Sequence, residues 1–311
     1  MALKQVMEAY ELLDSSQVSG DAVAQLFRKR GLTEVTMEHL EGDEGSTDFI
    51  KVLLPGSSGK RSGGKSPTLG VIGRVGGIGA RPSKVGLVSD ADGAVTTVGT
   101  MLKLADMQLQ GDVLRGDVIG ATHICPRAPI KPHHPVDFMD SPVDMIRLLR
   151  LEVVPAMDAI LSVDTTKGNR VINHKGFAIS PTVKEGYIFK TSEDLLDIMQ
   201  IVCGRMPAVF PLSTTDITPY ENGLYHINSI MQPSVLTDAP VVGVAITTET
   251  PVPGCATGVS HVIDMEVAVR FIIEVAKAFG EERVNFYDRD EFRQVVQRYG
   301  SMKHLQTLGK S

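Results

Sequence analysis

Apolar and polar positions along the chain repeat with two different periods, and the switches between them mark out the elements. Short apolar runs at Thr68–Ile72, Val85–Val88, Val118–Ala121, Ala159–Val163 and Pro240–Ile246 read as strands buried on both faces. Between them the period lengthens. Ala94, Val98, Met101, Leu102 and Ala105 share one helical face, as do Ala268, Phe271, Ile272, Val275 and Phe279 behind a capping Asp264. Residues 3–14 and 20–30 predict two helices joined at Ser15–Gly20, with Ser19 or Asp21 available to cap the second. Thr33–Leu40 and Thr47–Leu54 alternate as an antiparallel pair around Gly42-Asp43-Glu44-Gly45. Further helices are expected at Val143–Leu151, 192–203 (opened by Thr191 with Asp194), Gly223–Met231 and 289–306. Further strands are expected at Val171–Ser180, Lys184–Phe189 and Val209–Leu212.

Strands and helices alternate throughout, which predicts an α/β fold: a three-layer αβα sandwich around a mostly parallel mixed sheet. The organising stretch is Lys84–Cys125, read as strand, helix, strand. One domain over 1–311 is the economical reading. Its N-terminal helices and hairpin (1–65) pack on a core (66–285), and a charged C-terminal helix (289–306) follows. Pro55–Lys65 is Gly/Ser-rich and basic but lacks P-loop spacing, so it reads as a mobile surface loop. Gly73–Gly79 resembles a dinucleotide fingerprint without the helix that should follow it. Close packing of backbone at strand ends is the better account. Prolines at 126, 129, 132, 135 and 142 make 126–142 irregular.

Composition narrows the function classes. The chain of 311 residues is 42% hydrophobic and can bury a sizeable core. Its formal charge of −6, 5% aromatic content and lack of tryptophan argue against a nucleic-acid partner. No apolar run reaches membrane-spanning length, and the three widely spaced cysteines do not form a disulfide framework. A cytoplasmic protein is expected.

Four strand ends carry ligand-type residues: Asp90 with Asp92, His123 with Cys125, Asp164, and His261. Carboxylate and imidazole together suit a divalent metal, zinc or manganese, and open α/β sheets bind ligands at that edge. Each residue alone has a blander reading as a helix cap, a turn or a satisfied core group. Cys125 or Cys255 with a neighbouring histidine makes a rival, thiol-based site. Arg74, Arg81, Arg127 and Lys131 supply anion-binding groups for a third reading, a metal-free binding or assembly protein.

The order of elements resembles the di-zinc aminopeptidase superfamily, most closely its tetrahedral-shell (TET-type) co-catalytic metallopeptidases. Leu12–Val23 looks like that family's helix–SG–helix opening, Thr214-Thr215-Asp216 is similar to its Gly-Thr-Asp segment, and Gly258-Val259-Ser260-His261 precedes the last helix. As a whole chain, with SVDTTKGNR, HICPRAPIKPHHP and GFAISPTVKEGY, it resembles a bacterial and archaeal domain of unknown function of about this length. The resemblance implies a zinc-peptidase (phosphorylase/hydrolase-like) architecture, an amide- or peptide-type small substrate and a homo-oligomer. It implies Asp164 and His261 as metal ligands, with a bridging aspartate in Ser89–Asp92. Asp216, Arg74, Arg127 and Cys255 are candidate substrate contacts; Glu249 or a loop histidine would take the proton in the metal reading, and Cys125 would be the catalytic group in the thiol-based one. The departures are specific. Arg74 stands where the family has a His-x-Asp pair, no glutamate occupies His123–Pro126, and Gly79–Lys84 leaves no room for the lid domain.

Overall fold

The computed structural model describes residues 1–219, 222–226 and 229–307. Helices α1 (Leu3–Asp14) and α2 (Gly20–Arg28) open the chain, and the hairpin of β1 (Val35–Gly42) and β2 (Gly45–Leu54) follows. The core runs through β3 (Leu69–Gly73), α3 (Asp92–Leu109), β4 (Val118–Ile124), a ribbon of β5 (Ile130–Lys131) and β6 (Phe138–Met139), α4 (Met145–Glu152) and β7 (Ala159–Thr165). It continues with β8 (Gly176–Ile179), β9 (Val183–Lys184), β10 (Tyr187–Ile188), α5 (Glu193–Cys203), β11 (Val241–Thr247), α6 (Val262–Gly280) and α7 (Arg289–Tyr299). Ser19 caps α2 by accepting from the Ala22 N–H at 3.2 Å, and Ser192, one residue past the expected Thr191, caps α5.

Strands β4, β3, β7 and β11 lie side by side and parallel. The hairpin extends this sheet antiparallel beyond β4, and β8, β9 and β10 extend it beyond β11. Gly73 pairs with Val163 and Thr165 with Ile246, so the central strands end nearly level. Arg74, Cys125, Asp164 and Thr248 therefore share one edge. Helices α1, α3, α5 and α6 cover one face of the sheet. The other face is covered more thinly, by α4 and two 3-10 segments, Thr214–Ile217 and Ser229–Val235. That is the expected sandwich with one lean layer. Among the described residues no helix is long and apolar enough to cross a membrane.

Helix α3 is buried on nearly all sides because it lies between the sheet, α1 and α6. Two glycines let its first turn rest on the strand ends. A Cβ on Gly73 would stand 2.7 Å from the Gly93 carbonyl oxygen. One on Gly93 would stand 2.7 Å from that of Arg74 and 2.8 Å from that of Val163. Only glycine permits this approach, and it brings Asp90 and Asp92 to the carboxyl edge.

Several expected elements are corrected. Val85–Val88 is not a strand: Gly86 has a φ of +91°, Val85 is 86% exposed, and Val88 makes only an isolated bridge to Thr257. The strand that feeds α3 is β3. Val171–Ser180 shortens to β8, and Val209 contributes a single bridge to Ile179. Pro55–Lys65 is tied to the core, with Asp117 accepting from the Gly56 and Arg61 N–H groups at 2.8 and 2.9 Å. The helix expected at Gly223–Met231 falls partly outside the described residues; Ser229–Val235 is a 3-10 segment.

Candidate functional site at the carboxyl edge

Asp90 and Asp164 are brought together by Thr165. The Thr165 hydroxyl donates to the carbonyls of Ser89 and Asp90, at 2.9 and 3.2 Å, while its N–H donates to Asp164 Oδ1 at 2.7 Å. Asp90 Oδ2 accepts from the N–H groups of Gly76 (2.5 Å) and Gly77 (3.0 Å), in the glycine run that follows β3. Asp164 Oδ2 accepts from the Ser229 hydroxyl at 3.0 Å. Burial, reinforced by Asp164, pushes the Asp90 carboxyl up to about 8 against the pull of the two glycine N–H groups. Burial likewise pushes Asp164 up to about 7, although Arg74 and Ser229 favour its ionised form. The edge thus holds two neighbouring carboxyls that change protonation near neutrality.

The other charges here are paired side chain to side chain. Lys167, at the exit of β7, places its ammonium 2.8 Å from Asp92 Oδ2, with 6% and 0% of the two side chains exposed. Its loop is seated on the end of β11, where the Thr166 N–H donates to Ile246 O and the Gly168 N–H to Thr248 Oγ1. Burial raises Asp92, while Lys167 and then Ser260 and His261 pull it down. Arg74 Nη1 lies 2.5 Å from Glu152 Oε2, both side chains being buried. Burial raises Glu152 and Arg74 opposes it. Removing one partner of such a pair leaves an uncompensated buried charge, which costs about 3–5 kcal/mol.

The remaining sequence candidates are engaged in other contacts, raised by burial, or exposed, His261 being exposed yet near enough to Asp92 to favour its ionised form. His123 is fully buried on β4. Its Nε2 donates to the Val75 carbonyl at 2.7 Å, and its Nδ1 meets the Thr47 hydroxyl at 2.8 Å. Both nitrogens are engaged, so the ring braces β4 against the hairpin and the chain after β3 and has no lone pair for a metal. Burial lowers it to about 4. His261 is exposed, at the N-cap of α6. Cys125 is buried and pushed up to about 11, and burial also raises Cys255, so neither thiol is poised as a nucleophile. Arg127 and Glu249 are exposed. Asp216 is buried, and its carboxylate closes a capping box with Ser213, at 2.8 Å to the N–H and 2.7 Å to the hydroxyl. In this structure it caps a 3-10 turn.

Sequence reading missed Lys167, Glu152 and Ser229. One weak signal was present: Glu152 ends a helix, where the dipole disfavours a carboxylate and a neighbouring cation would favour it. Residues 38–309 match the family described as protein of unknown function (DUF1177). The chain belongs to that family. No curated protein matches it in sequence. Among solved structures it is similar to the glutaminyl cyclase of an Acidobacteriales bacterium, with 12% identity, a TM-score of 0.52, and coverage of 90% of this chain and 94% of that one. It is also similar to a leucine aminopeptidase of Caenorhabditis elegans (10% identity, TM-score 0.51, 92% and 66% covered) and to one from tomato (11%, 0.50, 87% and 60%). At these identities the likeness is one of fold, and it is the zinc-peptidase-like architecture that the element order implied.

The resemblance implies zinc or manganese at this edge, and the donor set can be tested against that. Asp92 already holds an ammonium, His123 has no free nitrogen, Arg74 follows β3, and His261 is exposed. Among the described residues no three His, Cys, Asp or Glu side chains converge to hold an ion. A ligand set of Asp90, Asp92, His123, Asp164 and His261 therefore does not fit this geometry, and the expected ligand role of His123 is withdrawn.

Proposed function

We propose that the family keeps an amide-directed site at the carboxyl edge and runs it with paired carboxyls instead of a metal. The observation that carries this reading is the Thr165 clamp, which ties the backbone before α3 to the end of β7 and so brings Asp90 and Asp164 to one edge from separate elements. Both carboxyls are pushed to near neutrality, so one member can accept a proton from water as the other donates to a leaving nitrogen. Water adds to the amide carbon, the C–N bond breaks, and a carboxylic acid and an amine leave. The similar folds named glutaminyl cyclase and leucine aminopeptidase support small or peptide-like amides as the substrate class.

The test is turnover of amino-acid anilides, dipeptides and glutaminyl peptides by EDTA-treated protein, with metal content measured on the same sample. Expected is activity with a maximum between about pH 7 and 8, lowered about 100-fold or more in Asp90→Asn and in Asp164→Asn. Activity that appears only after zinc or manganese is added would return the site to metal hydrolysis. Full activity in both variants would remove the carboxyl pair from the chemistry, and no turnover would leave the binding-protein reading.

A further inference from the structure

Buried charge at this edge is unevenly matched. Asp90, Asp92, Asp164 and Glu152 supply four carboxyls, against which Arg74 and Lys167 supply two cations. Arg74 is paired with Glu152 and also favours ionised Asp164, while Lys167 is paired with Asp92, so Asp90 has no cationic side chain paired with it among the described residues. Asp92 is fully buried, and its second oxygen, Oδ1, has no hydrogen-bond partner. We propose that Lys167 is the built-in cation of this site, closing a position that a hydrated divalent ion would otherwise take on Asp92 and Asp90. The inference rests on the metal-free reading above and deepens it. Lys167 then supplies the positive charge, and a site so closed is expected to respond neither to chelators nor to added metal.

The chemistry is consistent on both sides. Manganese and magnesium are held by one or two carboxylates with water completing the octahedron, so three converging protein donors are not needed. A lysine ammonium is a compact point charge with three donors, and only one of those on Lys167 is accounted for by Asp92. The others are what a ligand's carbonyl oxygen would meet. The backbone around Lys167 is fixed from both sides: a Cβ on Gly168 would stand 2.2 Å from Thr248 O. The ammonium is thus a fixture of the edge.

Melting temperature reads this directly. Wild-type protein should melt alike in EDTA and in about 1 mM manganese. Lys167→Met should melt lower than wild type and recover by about 4 °C or more in manganese, because the ion replaces the missing charge. Lys167→Arg should show no rise, and Lys167→Met with Asp92→Asn should show none either. If Lys167→Met does not fold alone, it is refolded with and without manganese. Recovery of the wild-type circular dichroism only with the ion supports the proposal, and no recovery with the ion, while the double variant folds, overturns it. A folded Lys167→Met that ignores manganese overturns it too. A manganese response in wild type instead sinks the metal-free reading, so the two failures are told apart.

Discussion

Asp164→Asn should make the protein more stable in mild alkali and leave it unchanged in acid. The folded Asp164 carboxyl is pushed from 3.8 to about 7, so between those values the native state binds more protons than the unfolded chain. Stability from this group is therefore full below pH 3.8 and is lost as pH rises through about 7. The interval corresponds to a cost of up to about 4 kcal/mol for the ionised form above pH 8. Asparagine has the shape of the protonated acid and carries no proton to lose. Its oxygen can take the Thr165 N–H, and the Ser229 hydroxyl can turn to accept from its amide. Urea unfolding of both proteins from pH 4 to pH 9 measures the difference, provided the m-values agree. The curves should coincide near pH 4, separate by about 1.4 kcal/mol per pH unit up to about pH 7, and run parallel above it, with asparagine the more stable. A constant offset would refute the reasoning, and aspartate proving the more stable at pH 8 would show that a cation sits on it.

Two further outcomes follow from the same edge. The His123 ring, lowered to about 4, should show no titration above pH 5 in its proton resonances. Because its folded value lies below the unfolded one near 6.5, stability from this group is lost as pH falls from about 6.5 to 4, by up to about 3 kcal/mol; a ring that titrates near 6.5 would contradict the brace. The buried thiols of Cys125 and Cys255 should resist iodoacetamide at pH 8 while half-buried Cys203 reacts; rapid labelling of Cys125 or Cys255 in native protein would reopen the thiol-based reading.

Much of the fold was legible because hydrophobic periodicity is a local property. β3, β4, β7 and β11 are apolar runs too short for helices, and α3 and α6 carry continuous apolar faces. The failure at Val85–Val88 has a physical cause. Four apolar residues fit a strand on paper, but Gly86 takes a left-handed conformation and turns Val85 into solvent. The strand-end rule picked out Asp90, Asp92 and Asp164, and the structure places all three at the carboxyl edge. The rule could not say what each carboxylate touches, because the partners are remote in sequence: Arg74 meets Glu152 and His123 meets Thr47 across 78 and 76 residues.

What sequence reasoning missed most is that counter-charge need not be a ligand set. A search for His, Cys, Asp and Glu at strand ends looks for what binds a cation and overlooks the cations the chain already owns. Arg74 follows β3, where the resemblance places a metal-binding pair, and Lys167 lies three residues beyond Asp164, within the same strand exit. Each cation is matched by a buried carboxylate. An arginine buried beside Asp164 without Glu152 would be an uncompensated charge, and Asp92 without Lys167 would be another. The lysine and arginine pairs thus neutralise two of the four buried carboxylates at this edge. The carboxyls left outside those pairs, Asp90 and Asp164, are the ones whose protonation is free to change near neutrality, which is the property an acid–base site needs.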